Sequence, residues 1–110
     1  MTIEFHTPYG KVSEKLVSNI RNEMLELSHI NKHISRAEVL LKEEGIIIPA
    51  ENKICDIRLT IYGDNLHAHT RSENFKKSAK EAIKELKMMV RQQVKKQKEL
   101  PEEITSTVKV

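Results

Sequence analysis

The chain has 110 residues, 38% of them hydrophobic and 32% charged, with a formal net charge of +3 and one cysteine. That length suits one modest core and excludes two independent domains, and the balance of apolar and charged residues excludes wholesale disorder. No apolar run exceeds three residues, and the opening MTIEFHTPYG has neither a basic nor an apolar leader region, so a membrane span and a signal peptide are not expected. The cytoplasm is the expected location. Cys55 has no internal disulfide partner, which suits a reducing compartment.

In chain order, TIEFH places Ile3 and Phe5 two apart, the spacing of one buried face of a strand, and Pro8 and Gly10 close it. Ser13 can cap a helix from about 14 to 28, with Leu16, Val17, Ile20, Met24 and Leu27 at helical spacing. The exposed side of that helix mixes Lys15 and Arg21 with Glu14, Glu23 and Glu26. SRAEVLLKEE alternates, with Ala37, Val39 and Leu41 on one side, and reads as a half-buried strand. ICDIRLTIYG does the same with Cys55, Ile57, Leu59 and Ile61 inward, and NLHAHTR with Leu66, Ala68 and Thr70 inward. YGDN between them is a hairpin turn. The longer GIIIPAEN connection can extend a strand, cover a core edge or touch a partner.

Ser72 is the expected cap of the last helix, and Pro101 its expected stop. The segment PEEITSTVKV beyond it has too little apolar surface to order itself. The sequence therefore predicts an α+β fold in the order βαβββα. Two amphipathic helices lie on one face of a four-stranded sheet, in a two-layer sandwich. Residues 1–100 form the single domain and residues 101–110 a flexible tail.

The charge is unevenly placed. Between Lys76 and Lys98 there are nine basic side chains against Glu81 and Glu85, net +7, so the rest of the chain sums to −4. Lys76, Lys80, Lys84, Lys87, Arg91, Lys95 and Lys98 follow one another at steps of three or four and form one line on a helix. Phe75, Ala79, Ala82, Ile83, Leu86, Val90 and Val94 take the side that faces the sheet. Neighbouring cations repel, and an ordinary solvated helix interleaves glutamates to relieve this; here Glu81 and Glu85 fall off the line. Cations spaced about one helical turn apart match the scale of a nucleic-acid backbone. A charged face serving only solubility is the plain alternative. Aromatic residues for stacking on unpaired bases are scarce, so binding through shape and phosphates fits better than sequence reading.

Other constellations lack parts. His67 and His69 share one strand face beside Arg71, but no third ligand is evident nearby and no metal site is expected. His29 and His33 are four apart, with Ile30 where a zinc-protease motif needs glutamate. Cys55 points inward, where a thiol usually packs. The three glycines are scattered, so no phosphate loop exists, and neither a cofactor nor an enzymatic reaction is expected.

The strings AEVLLKEE and ENKICDIRLTIYGDNLHAHTRSENF, with the lysine-rich last helix, resemble the ribosome hibernation promoting factor and ribosome-associated inhibitor family, also called sigma-54 modulation proteins. The resemblance covers about residues 1 to 98, and the chain matches the short form. It departs from the family at Asn74, Phe75 and Lys76, where Asp-Met-Tyr is usual, and at Met88 and Met89, where Arg-Gln is usual. The resemblance implies a fold similar to double-stranded RNA-binding domains. It also implies docking on small-subunit rRNA in the decoding region, where the protein excludes mRNA and tRNA in resting cells. The candidate rRNA contacts are Lys76, Lys80, Lys84, Lys87, Arg91, Lys95 and Lys98, with Arg71 from the sheet. A membrane, DNA and a small-molecule substrate are not expected as partners. The alternative is a protein-interaction module that turns the same cations on a sigma factor or another acidic partner.

Overall fold

A computed structural model describes residues 1–8, 12–44, 52–61 and 64–109, with side chains described as far as Lys95. The elements are β1 (Thr2–His6), α1 (Glu14–Ile30), β2 (Ile34–Glu43), β3 (Lys53–Ile61), β4 (Asp64–Ser72) and α2 (Phe75–Lys109). They form one four-stranded sheet in the order β1-β2-β3-β4. The expected βαβββα order is therefore present. β2, β3 and β4 pair antiparallel, as their short connections require. β1 runs parallel to β2, with Phe5 opposite Val39, and α1 is the crossover that a parallel pair needs.

Ser13 caps α1 as its position predicts: its hydroxyl accepts from the Leu16 N–H at 3.1 Å. The helix runs two residues past the expected end, to Ile30. There the Asn31 N–H donates to the Leu27 carbonyl and the Asn31 side chain accepts from the His33 N–H at 2.9 Å. The start of α2 departs from the sequence reading. Ser72 is the buried last residue of β4, and Asn74 caps the helix, its Oδ1 accepting from the Lys77 N–H at 2.7 Å. The strand's hydrogen-bonding ladder keeps Ser72, and Asn74 is the first polar residue free to turn toward the orphan N–H groups.

The expected stop at Pro101 is also absent, since α2 continues to Lys109. Proline's fixed φ is compatible with helix, and its cost falls on one carbonyl, that of Gln97 four residues back. At ~1.5 Å per residue so long a helix overhangs the sheet. The molecule accordingly measures 60 Å in its longest direction against 25 and 17 Å. The Gly45–Pro49 stretch lies outside the described residues, as do Tyr62 and Gly63 of the expected YGDN turn.

The core lies between the helices and one sheet face. It takes Ile20, Met24 and Leu27 from α1, Ile34, Ala37, Val39 and Leu41 from β2, and Cys55, Ile57, Leu59 and Ile61 from β3. Ala68 of β4 and Ala79, Ala82, Ile83, Leu86 and Val90 of α2 complete it. Every strand residue predicted to point inward on β2 and β3 does so, and on β4 Ala68 and Thr70 are buried with Leu66 half-buried. Small residues at Ser78, Ala79 and Ala82 let the first turns of α2 approach β4 closely, and Thr70 donates its hydroxyl to the Ser78 carbonyl. Among the described residues no helix lies on the opposite sheet face, which presents polar side chains such as Arg36, Arg58 and His67 and also carries the fully buried Ile54.

Candidate nucleic-acid interface

With the apolar stripe of α2 pressed on the sheet, 3.6-residue periodicity sends the basic line outward and toward α1. Lys76, Lys80, Lys84 and Lys87 all line one groove of about 500 Å³ between the helices, with Leu16, Ile20, Ala79 and Ile83 on its floor. Lys76 meets the early residues of α1, Leu16 and Asn19, in an adjoining hollow, while Lys87 meets Glu23 further on. The two helices thus run side by side in the same direction. Four cations face one cleft, and the exposed Arg91 and Lys95 continue the row.

Pairing separates these cations. Lys87 is half-buried, its ammonium 2.7 Å from Glu23 Oε2, a charge contact that Glu23 already satisfies within the protein. Lys76, Lys80, Lys84, Arg91 and Lys95 form no ion pair among the described residues. The side chain of Lys98 lies outside the described residues. An unpaired row of cations repels itself, which costs stability, and a polyanion laid along it removes that cost.

Arg71 does not join the row. It points from β4 to the open face of the sheet and pairs with Glu44 at 2.8 Å. The other arginines of that face are matched in the same way. Arg36 holds Glu4 at 2.6 Å and Glu38 at 3.0 Å, and Arg58 lies 3.6 Å from Asp56. Phe5 and Phe75, expected to be buried, are half-buried, each under a cation: Arg21 stands 5.2 Å from the Phe5 centroid and Lys53 5.8 Å from that of Phe75.

The open face also holds a constellation whose third member the sequence reading missed. His67 Nε2 lies 2.8 Å from Asp56 Oδ1, and His69 Nδ1 lies 3.0 Å from Asp56 Oδ2. The signal was available. The hairpin register, in which Ile61 pairs with Asp64, puts Asp56 opposite His69 and diagonal to His67. Burial pushes the Asp56 carboxyl up, but hydrogen bonds to His69 and His67 and the pull of His67 and Arg58 outweigh it, leaving the group below its ordinary value. Its neighbour Cys55 points into the core, where burial and then the Asp56 charge push the thiol up to about 12.

The profile of the family described as Sigma 54 modulation protein / S30EA ribosomal protein matches residues 3–98. The chain belongs to that family. As an S30EA family member it is one of a group of ribosome-associated factors, not of a known enzyme family. Its fold is similar to that of a ribosomal subunit interface protein from Coxiella burnetii, with 18% identity, TM-score 0.68, and 89% of this chain and 98% of that chain covered. It is similar as well to the N-terminal domain of Protein Y from Thermus thermophilus, with 13% identity, TM-score 0.69, and 84% and 98% covered. No curated protein matches the sequence. Among the described residues, no helix of this S30EA member is long and apolar enough to cross a membrane.

Proposed function

We propose that this S30EA family member is a translation inhibitor that docks on small-subunit rRNA in the decoding region and keeps mRNA and tRNA out while cells rest. The observation that carries this reading is the contrast in pairing. Five cations in a row on α2 lack carboxylate partners among the described residues, while the arginines of the open sheet face all have them. A surface left unneutralised on one ridge is complementary to a phosphate backbone, and binding there releases counterions. Inhibition is steric: the protein occupies space and catalyses nothing. The site of action is then the cytoplasm.

Co-sedimentation tests this. The purified chain should pellet with ribosomes at low salt. If about five phosphates are engaged, affinity should fall by about two to three orders of magnitude for a fourfold rise in salt, on the slope for duplexes. Reversing Lys80, Lys84 and Arg91 to glutamate should abolish pelleting while the circular dichroism spectrum stays that of the folded protein. Undiminished pelleting of the folded triple variant would remove α2 as the docking surface.

A further inference from the structure

On the open sheet face, away from the helical ridge, Asp56, His67 and His69 bring two imidazole nitrogens and a carboxylate oxygen within 4.8 Å of one another. We infer that these three side chains form a binding site for a first-row transition-metal dication such as Zn²⁺. The site is independent of ribosome docking, since it uses none of the α2 cations.

The donor set selects the metal class. Two imidazoles with one carboxylate suit Zn²⁺, Co²⁺ or Ni²⁺, whereas Mg²⁺ and Ca²⁺ want oxygen ligands throughout. Placement on a hairpin supplies rigidity: His67 and His69 share one face of β4, and Asp56 reaches them from the paired strand β3. The Asp56 side chain is only 12% exposed and acts as a fixed anchor, while the imidazoles are exposed at 48% and 47% and can turn. Such turning is needed. Ligand nitrogens about 2.0–2.1 Å from a tetrahedral zinc stand a little over 3 Å apart, so the rings need to close by no more than about 1.5 Å.

Protons balance simply. A carboxylate only accepts hydrogen bonds, so in the metal-free site His67 Nε2 and His69 Nδ1 carry the protons. On binding, each ring gives that proton to its other nitrogen or to solvent, and the freed lone pair goes to the metal. Asp56 remains an anion throughout. The remaining coordination positions face solvent and take water. Arg58, whose Nε lies 3.6 Å from Asp56 Oδ1, opposes a dication there, but its side chain is 67% exposed and can swing away.

Isothermal titration of the full chain with Zn²⁺, in a buffer that does not bind the metal, tests the site. Tight uptake of one ion per chain is expected, and the Co²⁺ form should show the visible absorption of a cation held by nitrogen ligands. His67→Gln with His69→Gln, or Asp56→Asn alone, should weaken Zn²⁺ binding by at least about tenfold, because even ligand-orienting partners contribute 10–100-fold. His29→Gln with His33→Gln, which removes the other closely spaced histidine pair, should leave it unchanged. Arg58→Gln should tighten it. Circular dichroism establishes that each variant is folded. Equal Zn²⁺ affinity in the wild type and the His67/His69 variant would overturn the proposal, and so would loss of binding in the His29/His33 variant alone.

Discussion

The arginines of the open sheet face and the cations of the α2 ridge are treated in opposite ways by the fold. On the open sheet face, strands 4.7–4.9 Å apart put residues of unlike charge side by side, and each arginine finds a carboxylate: Glu4 and Glu38 for Arg36, Asp56 for Arg58, Glu44 for Arg71. On α2, neighbours along the exposed row are other cations three or four residues away. Glu81 and Glu85 of α2 form no ion pair with the row among the described residues, and α1 offers Glu23 to Lys87 and to no other described member of it. The difference teaches that charge count is a poor guide to a docking surface. What matters is whether the fold has already used the charge.

The largest expected effect separates the two surfaces directly. The triple reversal of Lys80, Lys84 and Arg91 should eliminate ribosome co-sedimentation, whereas reversing Arg58 and Arg71 on the sheet face should change the affinity less than about threefold, since those groups are already neutralised. Equal losses from both variants would erase the contrast. A second comparison lies within β3, where adjacent residues face opposite ways. Cys55, with its thiol pushed up to about 12 beneath the sheet, should react with a thiol reagent at neutral pH more than about a hundredfold slower in the folded protein than in urea, where an ordinary thiol value returns.

Glu23 offers a way to sharpen the ridge itself. Glu23→Gln should release Lys87, raise ribosome affinity severalfold and steepen the salt dependence by about one phosphate contact. Asp56 should mark the sheet face through pH. Because its folded-state value lies below the unfolded one, it stabilises the protein fully above the ordinary carboxylate range, and that contribution is lost as pH falls from that range through the lower folded-state value. The difference in urea midpoint between the wild type and Asp56→Asn should therefore shrink from pH 7 to pH 3. The smallest effect is expected where the ridge begins: Asn74→Ala should cost about 1 kcal/mol in urea unfolding, the usual loss of a helix cap.

Much of the fold was legible because binary patterning is a local property. Alternation in SRAEVLLKEE and ICDIRLTIYG assigns the strands and their inward residues, and the 3.6-residue stripe on α2 places its apolar and basic sides on opposite faces. Helix ends were less legible. Ser72 looks like a cap in sequence, but the pairing of Ser72 with Lys53 keeps it in β4, and Pro101 looks like a stop that the helical backbone passes through.

By itself, then, the sequence determined the element order, the inward residues and the existence of a line of cations, because each follows from spacing along one segment. Only the tertiary structure decided three other things: that β1 runs parallel beside β2, that Lys87 alone among the described ridge cations is matched, by Glu23, and that Asp56 stands between His67 and His69. Each depends on which segments lie next to one another. Electrostatic pairing and ligand geometry act across a few ångströms of space, whatever the distance along the chain.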